Sequence, residues 1–133
     1  MKQYVMVIDR GSTNVKVVIF DQQGDEILTS TYASQKPVSY SAGWWEQDMN
    51  FIWESTLNAI KGAFASQKVT PDDIAGVFVT GQGNGLMPID KNGEPARMGI
   101  LSLDSRASQL FNQWNQDGRY AKAIQTLGMP FVV

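Results

Sequence analysis

The 133-residue sequence contains neither cysteine nor histidine. Without cysteine, the chain has no disulfide bond, no thiol nucleophile and no cysteine-ligated zinc site. Without histidine, a Ser-His-Asp triad and a histidine-ligated metal are excluded. Any chemistry of this chain must therefore use carboxylates, amides, hydroxyls, lysines and backbone dipoles.

Strong charge and long apolar runs are also lacking. The sequence has 11 Lys and Arg residues against 13 Asp and Glu residues, a formal net charge of −2, and no basic run. This balance is a poor match to nucleic acid or to an anionic membrane. No apolar run approaches the roughly 20 residues of a membrane span, and the first residues contain no signal-peptide hydrophobic region. We therefore expect a cytoplasmic protein that binds neither nucleic acid nor a membrane.

The first half of the chain is patterned as strands followed by a helix. Runs rich in β-branched residues predict three antiparallel strands at residues 4–8, 15–20 and 26–32, joined by two short polar turns. After a loop, Asp48 is predicted to cap a helix that reaches about residue 66. Apolar residues recur at helical spacing on it and predict one buried stripe. These residues are Trp53, Leu57, Ile60 and Phe64.

The second half predicts a further strand, a hairpin and two helices. A capped turn at residues 70–73 precedes an almost wholly apolar strand at residues 74–80, which we expect to be central in the sheet. Asn-Gly at positions 92 and 93 predicts a hairpin between strands 86–90 and 96–101, the first made irregular by Pro88. Helices are expected from about residue 104 and at residues 119–127. The predicted fold is α/β, with the order β-β-β-α-β-β-β-α-α.

The first candidate site is the turn between the first two strands. Gly11, Ser12 and Thr13 would present backbone N–H groups and two hydroxyls, which suits phosphate oxygens. Asp9 ends an apolar strand, where a carboxylate is costly unless it is paired or holds a cation such as Mg²⁺. Lys16 begins the next strand and can reach a phosphate as a point charge. An ordinary polar hairpin with a capping aspartate has the same composition.

The second and third candidates follow later strands. Gly81-Gln82-Gly83-Asn84-Gly85 combines glycines, which permit close backbone approach, with amides that suit a hydroxyl-rich ligand. A glycine-rich strand exit without a ligand has the same pattern. Asp104 could cap a helix or accept hydrogen bonds from substrate hydroxyls. The two tryptophans of the segment 43–48 are more typical of anchors than of ligand contacts.

In this order, the motifs resemble the FGGY carbohydrate kinases, which belong to the actin-like ATPase superfamily and have ribonuclease-H-like domains. The resemblance is carried by the first turn and three later segments: Gly43-Trp44-x-Glu46-Gln47-Asp48, the glycine pentapeptide and Leu103-Asp104-x-Arg106-Ala107. The segments 85–93 and 100–107 look most similar to L-xylulose kinases and related ketose or polyol kinases. The resemblance covers the whole chain.

The resemblance implies a function and roles for individual residues. It implies an ATP- and Mg²⁺-dependent transfer of a phosphoryl group to a small-molecule sugar or polyol. Asp9 would accompany the metal. The phosphate contacts would come from Gly11, Ser12, Thr13 and Lys16. The substrate contacts would come from Gln82, Gly83, Asn84 and Asp104.

Several residues depart from the family pattern. Arg10 stands where the family usually has a neutral or small residue, so it either adds a phosphate contact or crowds the loop. Gly83-Asn84 and Ser102 replace the larger residues of glycerol-type members. We therefore expect a longer carbohydrate than glycerol.

The resemblance also implies that residues 1–133 are only the first part of the N-terminal, sugar-binding lobe. The apolar last residues, 128–133, indicate a strand or loop that continues. The catalytic base and the ATP-binding C-terminal domain would then lie beyond Val133, and the chain alone would not turn over. Exposed apolar surface should favour low solubility or a homodimer. A non-catalytic binding module of the same superfamily, or another actin-like ATPase, remains an alternative.

Overall fold

The computed structural model of the chain describes residues 3–130, which form a four-stranded sheet, a two-stranded sheet and three α-helices. In chain order the elements are β1 Tyr4–Arg10, β2 Asn14–Phe20, β3 Glu26–Ala33, β4 Glu46–Gln47, α1 Met49–Phe64, β5 Ile74–Gly81, β6 Gly99–Ile100, α2 Ser108–Gln116 and α3 Arg119–Leu127. A 3₁₀ turn, Pro71–Asp73, precedes β5 and has the predicted capping box with Thr70. The predicted continuation after Gly128 falls largely on residues 131–133, which lie outside the described residues.

The main sheet has the strand order β3-β2-β1-β5. The first three strands form the predicted antiparallel meander, whereas β5 pairs with β1 in parallel. Parallel neighbouring strands need a long crossover connection. The connection that leads to β5 contains α1. The predicted α/β class is confirmed.

The hydrophobic core lies between the sheet and α1. Val15, Val17 and Ile19 are fully buried at alternate positions of β2 and belong to one cluster with Ala59 and Ala63 of α1. Small residues bring the helix close to the strands. Gly62 shows how close, because a Cβ there would collide with the Ser30 hydroxyl of β3.

The buried stripe of α1 differs from the predicted one. Asp48 caps the helix by accepting a hydrogen bond from the Asn50 amide at 2.8 Å, as predicted. The buried residues, however, are Ser55, Ala59 and Ala63, and Trp53 is 62% exposed. The predicted stripe is therefore wrong at Trp53. The close approach of α1 to β2 and β3 leaves room only for small side chains.

Two strand predictions are also corrected. Strand β5 is an edge strand of the described sheet and not a central one, because it pairs only with β1. Val77, Phe78 and Val79 are consequently more than half exposed. The segment 86–90 makes only isolated bridges, because Pro88 lacks the N–H that a strand ladder needs. Strand β6 pairs with β4 instead.

The Asn-Gly turn and the two last helices are confirmed, although α2 begins at Ser108 and not near residue 104, and the predicted loop before α1 contains the short strand β4. The turn at Gly93 has φ +85°, and the Asp90 amide donates to the Glu94 carbonyl at 2.8 Å. Helices α2 and α3 meet through Phe111 and Tyr120, whose rings lie edge to face at 5.0 Å. Within residues 3–130, every helix is too short or too polar to cross a bilayer.

Candidate functional site

The turn between β1 and β2 is a three-residue connection, Gly11 to Thr13. The Gly11 amide donates to the Asn14 carbonyl at 2.9 Å, which closes the turn. Ser12 and Thr13 are exposed, and their N–H groups have no acceptor within the described part of the chain. Free N–H groups beside two hydroxyls can bind an anion by donating hydrogen bonds to it, as the sequence predicts.

Asp9 and Lys16 flank this turn on one face of the sheet. They are cross-strand partners, and both are exposed. The prediction that Asp9 is buried at the end of its strand is wrong. Side chains alternate along β1, so that Met6 and Ile8 face the core while Asp9 faces solvent. Asp9 and Lys16 take part in none of the ion pairs among residues 3–130, and both charges are therefore available to a ligand.

A magnesium ion fits Asp9 only if other ligands complete its coordination. Within residues 3–130, no three acidic side chains converge on one point. Magnesium usually keeps several waters and takes one or two carboxylates plus substrate phosphates. A single unpaired carboxylate next to a turn that suits phosphate meets this requirement.

The glycine pentapeptide starts beside the same turn. Gly81 pairs with Arg10 at the end of β1, and the Gln82 amide donates to the Arg10 carbonyl at 2.9 Å. Gly81 has φ +151°, and a Cβ there would overlap the Arg10 backbone. Only glycine fits this position without strain. The structure therefore brings the first two candidate sites to one edge of the sheet.

The other two glycines of the pentapeptide have different surroundings. A Cβ at Gly85 would lie 2.9 Å from the Ile100 carbonyl oxygen, so this glycine serves backbone packing. A Cβ at Gly83 would meet nothing within 4 Å. Asn84 next to it is exposed and has φ +61°, the left-handed conformation that asparagine tolerates. Both interpretations of the pentapeptide are therefore partly right, with open space only around Gly83 and Asn84.

A cavity of about 330 Å³ lies in front of Asn84. Its other polar lining comes from Ser102, Asp104 and Arg106. Gln82 borders this group, because its Nε2 donates to the Ser102 hydroxyl at 3.3 Å. The structure thus places the predicted substrate residues Gln82, Asn84 and Asp104 together, and Ser102 joins them.

Asp104 does not cap a helix, which was one of the two interpretations of this residue. Helix α2 begins only at Ser108, with Ala107 as its cap. The buried Asp104 carboxylate accepts four hydrogen bonds, one from the Trp45 amide at 2.7 Å and three from Arg106 at 2.7–3.0 Å. The Arg106 guanidinium, assisted by backbone amides, lowers the pKa of Asp104 to about 2. Four donors fill the usual capacity of a carboxylate.

Asp104 belongs to a larger cluster, here called the acid–arginine cluster, which the sequence analysis missed. It consists of Glu46, Arg97, Asp104 and Arg106. The buried Glu46 carboxylate pairs with both arginines, and its contact with Arg106 measures 2.9 Å. The Arg106 guanidinium carbon lies 4.1 Å from the centroid of the Trp44 ring, so this tryptophan packs against the cluster. The local sequence signal for this cluster was Glu46, a charged residue that directly follows Trp44 and Trp45.

Comparison with known proteins identifies the family. The N-terminal domain of the FGGY family of carbohydrate kinases matches residues 4–132. The chain belongs to the FGGY family of carbohydrate kinases. The resemblance found in the sequence is thereby confirmed.

Among relatives of this FGGY chain, glycerol kinase from Pseudarthrobacter chlorophenolicus is 34% identical over 98% of the chain and 26% of the relative. The L-xylulose/3-keto-L-gulonate kinase from Escherichia coli is 32% identical over 89% of the chain and 24% of the relative. The chain thus spans about a quarter of the length of the curated relatives it matches. The chain is thus about equally similar to a glycerol kinase and to an L-xylulose/3-keto-L-gulonate kinase.

Solved structures show the same fold. The crystal structure of gluconate kinase from Lactobacillus acidophilus matches with a TM-score of 0.83 and 21% sequence identity, covering 96% of this chain and 25% of that one. The FGGY sugar kinases have the actin-like ATPase fold, so the predicted ribonuclease-H-like architecture is confirmed.

Proposed function

We propose that this FGGY chain is the first part of the sugar-binding lobe of an ATP-dependent carbohydrate kinase. The full protein would transfer the γ-phosphoryl group of ATP to a hydroxyl of a ketose or polyol. The observation that supports the proposal is the pairing of Arg10 with Gly81, because it brings the β1–β2 turn next to the glycine pentapeptide that leads to the cavity at Asn84. Phosphoryl transfer depends mainly on such positioning and on charge neutralisation.

The phosphate side of the site is the β1–β2 turn. The backbone N–H groups of Ser12 and Thr13 would bind phosphate oxygens, and Lys16 would add a positive charge. Gly11 would contribute by closing the turn, because its own N–H donates to the Asn14 carbonyl. Asp9 would hold Mg²⁺ together with the phosphates. A bound Mg²⁺ would neutralise charge on the transferring phosphoryl group.

The sugar side is the cavity in front of Asn84. The Asn84 amide can donate to and accept from sugar hydroxyls, and Gly83 leaves space for a ring or chain carbon. Gln82 lines the neighbouring cavity and reaches this pocket through its hydrogen bond to Ser102. Asp104 would act mainly by holding Trp45 and Arg106 in place. Its carboxylate already has four donors, so a direct bond to a substrate hydroxyl would replace one of them.

The same facts argue against Asp104 as the catalytic base. A general base works best with a pKa near the working pH, whereas the pKa of Asp104 is about 2. We therefore infer that residues outside this sequence supply the base. The chain incubated with ATP, Mg²⁺ and ketoses or polyols should give no sugar phosphate, and clear turnover would refute this part of the proposal.

Binding tests the sugar pocket directly. A panel of ketoses and polyols titrated into the isotope-labelled chain should shift the amide resonances of Gln82, Gly83 and Ser102. Asn84→Gly, which tolerates the left-handed backbone at this position, should weaken this binding about fivefold to tenfold, since one or two hydrogen bonds are lost. Asn112→Ala, an exposed asparagine on α2, is the matched control and should bind normally. Equal affinity for the two variants would contradict the assignment of the pocket.

The names of the relatives cover three substrate classes. They are polyols such as glycerol, ketoses such as L-xylulose, and sugar acids such as 3-keto-L-gulonate and gluconate. The cavity in front of Asn84 is large enough for a five- or six-carbon sugar, which agrees with the expectation of a substrate longer than glycerol.

A further inference from the structure

Arg10 differs from every other arginine of the described residues in its partners. Arg97, Arg106 and Arg119 each pair with a carboxylate. Arg10 instead donates to two neutral amides, the Gln82 oxygen at 3.0 Å and the Gln47 oxygen. Within residues 3–130 it is the arginine without an acidic partner.

The surroundings of Arg10 make this lack of an anion costly. The side chain is partly buried, and its Nε is buried without an acceptor among the described residues. It lines a cavity of about 190 Å³ whose other walls are Gln82 and the apolar side chains of Met49, Ile52 and Met87. Desolvation lowers the pKa of Arg10, although the group stays charged at neutral pH. A cation in such a place is stabilised by an anion more than by neutral amides.

The direction of the side chain separates Arg10 from the phosphate turn. Side chains alternate along β1, so Arg10 lies on the α1 face with Met6 and Ile8, and Asp9 lies on the opposite face. Arg10 contacts Gln82, which in turn contacts Ser102 of the sugar pocket. Its guanidinium therefore lies in a cavity next to the sugar pocket and is linked to that pocket through Gln82 and Ser102.

We propose that Arg10 is a specificity-determining residue that binds the carboxylate of a sugar-acid substrate, an aldonate or keto-aldonate. This inference rests on the proposed function. Two of the five guanidinium N–H groups are used by the glutamine amides, and the Nε–H is buried. One N–H on each terminal nitrogen remains, and this pair matches the two oxygens of a carboxylate. Gln47 and Gln82 hold the guanidinium in place from the ends of two different strands.

The test compares each acid with its neutral alcohol. Calorimetry on the whole chain would measure D-gluconate against D-glucitol and D-xylonate against xylitol. The acid should bind at least about tenfold tighter than its alcohol, the effect of one charge-assisted hydrogen-bond pair. Arg10→Met should abolish this preference, whereas Arg119→Met, which changes an exposed arginine on α3, should keep it. Higher salt should reduce the preference.

The other outcomes are decisive as well. Equal affinity of acid and alcohol for the unmodified chain, or a preference that survives Arg10→Met, would overturn the inference and leave the proposed function standing. Loss of MgATP affinity in Arg10→Met with an unchanged acid preference would assign Arg10 to the nucleotide phosphate and also overturn it. Binding of neither compound would overturn the inference, and the titration with ketoses and other polyols would then decide the proposed function separately. If Arg10→Met does not fold, Arg10→Lys replaces it, and its preference should fall several-fold because a lysine cannot bind a carboxylate with two parallel bonds.

Discussion

Asp9 and Asp104 are both carboxylates of the candidate site, but the chain surrounds them in opposite ways. Asp9 is exposed, pairs with no cation among residues 3–130 and flanks an open turn. Asp104 is buried and accepts four hydrogen bonds within the acid–arginine cluster. The residue type alone therefore did not show that Asp9 is open to a ligand and that Asp104 is not.

This difference between Asp9 and Asp104 distinguishes a carboxylate that can bind a ligand from one that stabilises the fold. A carboxylate whose donors are all supplied by the protein fixes the backbone around it, here that of Trp45 and Arg106. A carboxylate without donors keeps its charge for a ligand. We thus expect changes in the acid–arginine cluster to act on stability, and changes at the β1–β2 turn to act on binding.

The largest stability effect should come from Asp104→Asn. The change leaves Arg106 with only Glu46 as a charged partner and weakens the bond from the Trp45 amide. Breaking a buried pair typically costs 3–5 kcal/mol, and because Glu46 remains we expect about 3 kcal/mol less free energy of unfolding in urea titrations. Asp117→Asn breaks the exposed pair with Arg119 and is the matched control. A loss as large in the control would remove the contrast between the two regions.

Acid should destabilise the protein through the same carboxylate. The folded-state pKa of Asp104 is about 2 and its ordinary value is 3.8. The unfolded chain therefore binds the proton first, and the stability that Asp104 contributes is complete above about pH 4 and is lost as the pH falls towards 2. The difference in unfolding free energy between the unmodified chain and Asp104→Asn should shrink over this interval, as measured by urea titrations at several pH values. A difference that stays constant from pH 5 to pH 2 would contradict the assignment.

The smallest stability effect should come from Asp9→Asn. An exposed carboxylate without partners should change the free energy of unfolding by no more than about 0.5 kcal/mol. If Asp9 holds the metal, however, the Mg²⁺ dependence of ATP binding should disappear in this variant. Asp72→Asn, which changes another exposed aspartate, should leave it intact. Loss of stability without loss of the Mg²⁺ effect would reverse the comparison.

Local sequence signals predicted the elements whose formation depends on neighbouring residues. The meander, the Asp48 cap, the Asn92-Gly93 turn and the two last helices follow from strand patterning, capping and glycine conformation, and all are present. The predictions failed where packing between distant elements decides. Trp53 follows the helical period but lies outside the contact of α1 with the strands, and β5 is apolar but lies at an edge.

The candidate site divides in the same way. Composition and order identified the β1–β2 turn and the pentapeptide, and the parallel pairing of β1 with β5 brings them together. The acid–arginine cluster was not predictable, because Glu46 and Arg97 are 51 positions apart and pair only through the fold. The partners of Arg10, at separations of 37 and 72 positions, were hidden for the same reason.

The sequence by itself determined the family, the local elements and the residue types available for phosphate and sugar, since these depend on short-range patterns. Only the tertiary structure decided which charges are already neutralised inside the protein and which remain free. That distinction depends on burial and on contacts between distant segments, which are properties of the folded chain.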